Sequence, residues 1–241
     1  MVCGPEKELK VAGIGKAKRT LLIFLAVFAV TAVATSCCGR TGKEYLAQKL
    51  LQGKYREQFS VSVDKVQELG TGYYSAKAYS MQYPDMPFSV SIDNDGKKFS
   101  DNYVARRVCS KIEERIRSNI HPTKGEVLVH VEAMVQGHAL DDPDMTVSDF
   151  VDTNPSNRFS IYIFSASDKL LAGKLEVLLS GLESLPGGTI YIYNTSESAV
   201  AEMQKYCKET DTPVSEHIEL KDDCVYTEIP FAHGKILGRC Q

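Results

Sequence analysis

His130 and Glu132 stand two residues apart in the run Val127 to Val135, and a His-x-Glu pair supplies a zinc ligand and a general acid/base in the zinc-dependent base deaminases. That chemistry also needs a Pro-Cys-x-x-Cys run, which the chain lacks. On an alternating strand, residues two apart face the same side, so the simpler expectation is a solvated strand face. His138, His217 and His233 are isolated, and no His-Glu-x-x-His spacing occurs. The recognisable zinc-enzyme patterns are therefore excluded. Asp141, Asp142 and Asp144, with Asp149 and Asp152 beyond them, offer the hard oxygens that Ca²⁺ requires; surface acidity explains them with less. Asp93, Asp95 and Gly96 resemble the start of an EF-hand loop but lack the third acidic ligand, so a strand-end turn is expected.

No Gly-x-Ser-x-Gly elbow, phosphate loop or cofactor-binding motif is present. Asn194-Thr195-Ser196 leads from a strand into a helix whose first amides could meet an anion, as most such loops can. Beyond residue 40 the cysteines are Cys109, Cys207, Cys224 and Cys240. An even set admits two disulfides in three connectivities, with Cys224 and Cys240 as the first pair to test. Cys109 and Cys207 fall on apolar helix faces, where buried free thiols are the alternative. Arg106, Arg107, Lys111, Arg115 and Arg117 could meet an anionic wall polymer or lipid headgroups, or form a solvated helix face.

The elements that must position these groups follow from hydrophobic periodicity. A helix is expected over Glu44–Gln58. Strands are expected at Phe59–Val63, Tyr73–Tyr79 and Phe88–Ile92, where apolar and polar residues alternate. Ser100 is the expected N-cap of a helix that places Val104, Val108, Ile112 and Ile116 on one stripe and ends at His121-Pro122. A second part begins with the strand Val127–Val135. A short helix at Thr146–Val151, a strand at Phe159–Phe164 and a leucine-spaced helix from Leu171 to Leu185 follow. Then come a strand at Thr189–Tyr193, a helix capped by Ser196, and a hairpin formed by His217–Leu220 and Cys224–Ile229. The fold class expected is α+β: an α-β-β-β-α lobe over 41–120 and a strand/helix-alternating α/β lobe over 125–241.

Ahead of these lobes, residues 1–20 are basic, and Leu21 to Thr35 carries no charge. An uncharged run of this kind, extended through Ser36, Cys37 and Cys38 to residues 21–38, suits a bilayer or a translocon. The basic excess before it places the amino terminus in the cytoplasm and the body outside. Ala34-Thr35-Ser36-Cys37 resembles the lipobox of bacterial lipoproteins, with Ala34 where Leu is usual. The resemblance implies a cleaved signal and a lipidated Cys37, or alternatively Cys38. A retained single-pass signal anchor, with both cysteines as interfacial thiols, remains open at this point. Either form tethers the chain to a membrane.

The chain has 241 residues with 28 Lys and Arg against 31 Asp and Glu. That balance indicates neither disorder nor a nucleic-acid partner. The expected function is a non-enzymatic extracytoplasmic module, anchored in the membrane and binding a protein, wall polymer or small ligand. The alternative is a surface enzyme of hydrolase type, its site assembled from His130, Glu132 and the Asp141 to Asp152 loop.

Overall fold

The computed structural model describes residues 40–63, 72–93, 95–120, 127–134, 140–166, 175–218 and 225–237. The expected tether at 21–38, the disulfide candidates Cys224 and Cys240, and His138 lie outside them. Among the described residues, no helix is long and apolar enough to cross a membrane. By its contacts the chain divides into Met1–Tyr45 and Leu46–Gln241, and the second unit holds both sheets.

Helix α1 (Arg40–Tyr55) leads into a four-stranded sheet of β1 (Phe59–Ser62), β2 (Tyr73–Ser80), β3 (Tyr83–Asp93) and β4 (Phe99–Asp101), antiparallel throughout and in sequence order. The alternation read from sequence holds. Tyr74, Ala76 and Ala78 of β2 and Phe88, Val90 and Ile92 of β3 are buried against Ala47, Leu51 and Tyr55 of α1. Rings of Tyr55, Phe59, Phe88 and Tyr103 pack with centroids 4.8 to 6.0 Å apart, within the range where edge-to-face aromatic contacts add to burial. β4 is one strand more than expected. Ser100 pairs with Ser91 in it instead of capping a helix, and helix α2 (Tyr103–Ile120) starts three residues later, where Asp101 Oδ1 accepts the Tyr103 N–H at 3.0 Å.

The second sheet runs β5 (Val127–Ala133), β6 (Phe159–Ser165), β7 (Gly188–Asn194), β8 (Val225–Ala232) and β9 (Lys235–Ile236) in that order. Only β6 and β7 are parallel; the other pairs are antiparallel. Two mostly antiparallel sheets with helices make the fold α+β. α3 (Val147–Thr153), capped by Thr146 and Asp149 as a reciprocal box, and α4 (Leu175–Ser180) pack with α2 on one face, where Val129, Val131, Ile161 and Ile163 are buried. α5 (Glu197–Glu209), with its Ser196 cap, and α6 (Val214–His217) lie on the other, over Leu128, Tyr162, Phe164 and Tyr193.

Two further expected elements differ. The leucine-spaced helix ends at Ser180, and Leu182 and Leu185 are carried on tight turns whose N–H groups reach back three residues. Gly181 allows that close fit: a Cβ there would stand 2.7 Å from Asn119 Nδ2 of α2. The terminal hairpin is β8–β9, turning through His233 (φ 48°) and Gly234 (φ 69°), which is the two-residue turn that needs two positive φ values. His217 instead closes α6.

The parallel pair β6–β7 depends on a bare backbone at Gly188, where a Cβ would fall 1.9 Å from the Phe159 carbonyl oxygen. Gly188→Ala is expected to destabilise by about 1–3 kcal/mol or more. Gly53→Ala, in an α1 position with nothing within 4 Å, should leave stability unchanged or raise it by up to about 1 kcal/mol. Urea denaturation of the two variants checks the contrast.

Candidate functional site

β5 is an edge strand of its sheet, and an edge presents N–H and C=O groups that need partners. Here α2 supplies them from side chains. Arg106 Nη1 donates to Val131 O at 2.8 Å, Glu113 Oε1 accepts the Val131 N–H at 2.9 Å, and Arg117 Nη2 donates to Val129 O at 2.9 Å. Positions 106, 113 and 117 lie seven and four residues apart and so share one helix face. Arg106 Nη2 also pairs with Glu113 Oε1 at 3.7 Å. The remaining basic residues of α2 are spent in the same way. Lys111 Nζ donates to Met145 O at 2.8 Å and Arg115 reaches Ser184. Arg107 is buried, lies 3.9 Å from the Tyr83 ring centroid and pairs with Asp144. The basic stripe is therefore an intramolecular clasp and not the solvated face expected from its composition.

Alternation sends His130 and Glu132 to the opposite face of β5, where α5 covers them. They do face one side together, but that side is covered: His130 is 8% exposed. Its Nδ1 lies 3.5 Å from Glu113 Oε1 and its Nε2 lies 3.4 Å from Glu132 Oε1, so one ring bridges carboxylates from α2 and β5. Glu132 Oε1 also accepts the Val214 N–H at 2.7 Å and fixes the start of α6.

Between α2, β5, α5 and the 210–214 segment lies a cavity of about 200 Å³, lined among others by Arg106, Cys109, His130, Glu132, Tyr206 and Asp211. A more open groove of about 710 Å³ shares Arg106, His130 and Cys207 with it and continues past Glu113, Arg117 and Lys208. Cys109 and Cys207 are free thiols. Burial first, and then the charges of Glu113 and Glu132, push each up to about 12 against the partial offset of Arg106. Both are neutral at physiological pH and neither is an activated nucleophile. Burial likewise raises the Tyr206 hydroxyl. The Tyr206 ring is stacked on His217, with centroids 3.9 Å apart and an angle of 11°.

The acidic loop does not join this site. Asp142 Oδ1 accepts the Asp144 N–H, Asp144 is largely exposed beside Arg107, and Asp149 caps α3. Among the described residues, no three His, Cys, Asp or Glu side chains gather as a metal site. Asp93 and Gly96 form the β3–β4 turn, with the Gly96 N–H donating to Asp93 O. Tyr206 and Asp211 complete the cavity and Glu113 lines the groove beside it; none carried a local signature, and only the helical spacing of Arg106, Glu113 and Arg117 marks a shared task.

No protein-family model matches the chain, and no curated protein matches its sequence. Among solved structures it is similar to the crystal structure of a DUF5037 family protein from Ruminococcus gnavus, at 15% identity and a TM-score of 0.54, over 81% of this chain and 94% of that one. At that identity the likeness is one of fold.

The buried thiols set an alkaline limit. A folded pKa raised above the unfolded value of about 8.5 gives stability that is complete below pH 8.5 and is lost as pH climbs towards 12. Urea midpoints should be flat from pH 7 to about 8 and fall above 9, and Cys109→Ala should make that fall shallower. An unchanged slope in the variant would contradict the burial of this thiol.

Proposed function

We propose that the protein is a membrane-tethered, non-enzymatic binding module, with its body outside the cytoplasm and its ligand held in the cavity beneath α5. The supporting observation is a cavity of about 200 Å³ whose thiols, histidine and Glu132 Oε1 are held in structural roles. Glu132 Oε1 holds a backbone N–H, the thiols are neutral, and His130 is wedged between two carboxylates. Groups held this way can shape and charge a pocket, whereas catalysis needs a nucleophile or a base that can move its proton onto a substrate.

The tether half of the reading rests on the uncharged run Leu21 to Thr35 and on the small residues before Cys37. A lipid on Cys37 or a retained helix would each hold the cavity close to the bilayer. Partners are then a small ligand, a protein or a wall polymer near the membrane, and no nucleic acid.

Membrane extraction followed by intact-mass measurement tests the tether. A chain beginning at a diacylated Cys37, or one retaining residues 1–36 and accessible to protease from outside, is the expected outcome. A full-length chain in the soluble cytoplasmic fraction would refute it.

A further inference from the structure

From the groups that line the cavity beneath α5, we infer that its ligand is a small organic cation bearing an ammonium group. This inference rests on the reading of the cavity as a binding site and names the class of ligand. Two carboxylates on separate elements reach the space. Glu132 of β5 engages Oε1 with Val214 N and His130, and its Oε2 has no hydrogen-bond partner among the described residues. Asp211, just beyond α5, accepts the Ser89 hydroxyl on Oδ2, which leaves its other oxygen equally available. The single guanidinium in the lining, Arg106, is already shared between Val131 O and Glu113, so its charge is offset before a ligand arrives.

Cys109 and Cys207 line the same space as neutral thiols, raised chiefly by burial, with Glu132 adding to the rise and Arg106 opposing it. Tyr206 contributes a third recognition element: it lines the cavity, and one face of its ring is occupied by His217. Aromatic faces attract cations with the same sign preference as carboxylates. Acceptors with open oxygens, neutral sulfur and an aromatic ring together favour a donor of positive charge over an anion. Size sets the second limit, because about 200 Å³ is below the 300–1,000 Å³ typical of drug-sized ligands. The adjoining groove does not compete for this role. Its Lys208 pairs with Asp85 at 2.7 Å and its Arg117 is held on Val129 O, so its charges are largely matched.

The test uses the full chain in detergent and three probes of one shape, n-butylammonium chloride, sodium butyrate and n-butanol, at matched ionic strength. Binding is followed by shifts of the cavity resonances in NMR titration. Butylammonium should bind at least tenfold more tightly than butyrate, and Glu132→Gln and Asp211→Asn should each weaken it about tenfold. Glu132→Gln keeps an acceptor for Val214 N, and Asp211→Asn tests the same idea at a second place if the first variant fails to fold. Butyrate or butanol binding as well as butylammonium would overturn the cation assignment while leaving the cavity a binding site. Ammonium binding insensitive to both substitutions would overturn it also. Shifts from none of the three probes would overturn both the assignment and the binding-site reading.

Discussion

The structure depends on how helix α2 satisfies the open edge of strand β5. A sheet edge left bare would invite pairing with another chain, and a helix cannot offer backbone groups to close it. α2 closes it with side chains instead. Two arginines and a glutamate on one helix face take the backbone positions that a neighbouring strand would occupy. The same helix contributes Tyr103 and Val104 to the core of the first sheet and Val108 to Ile120 to the core of the second. One rigid element thus joins both cores and fixes the strand that carries His130 and Glu132.

The cavity is a consequence of that arrangement. With β5 held on one side, its alternate residues project to the other, under α5. The end of α5 is in turn held on the outer face of the first sheet, where Lys77 and Tyr79 donate to Glu209 O and Lys208 pairs with Asp85. The space between α2, β5 and α5 is bounded by three elements, each anchored elsewhere. In its lining Glu132 spends Oε1 on Val214 N and His130, and Asp211 spends Oδ2 on the Ser89 hydroxyl.

Much of this was legible in the sequence, because apolar spacing is a local signal. The stripe Val104, Val108, Ile112 and Ile116, the alternation of Phe88 to Ile92 and the Ser196 cap all stand where the pattern places them. What was not legible depends on partners distant in the chain. The composition of α2 suggested a solvated basic face, since nothing near Arg106 or Arg117 announces that β5 will lie alongside. The spacing of His130 and Glu132 points them to water for the same reason: the helix that covers them begins at Glu197. The leucine spacing to Leu185 predicted more helix than forms, because burial of Leu182 and Leu185 is met equally well by tight turns around Gly181. Glu113 and Asp211 had no motif, the one brought to the groove and the other to the cavity only by tertiary packing.

Amide hydrogen exchange at Val131, measured on the full chain in detergent, tests the clasp most directly. If Glu113 accepts this N–H as the closing bond of the edge, the amide should exchange only through global unfolding, as slowly as the β6 core amides, and should lose most of that protection in Glu113→Ala. A Val131 amide that exchanges at the rate of an exposed strand edge in the unmodified protein would contradict it.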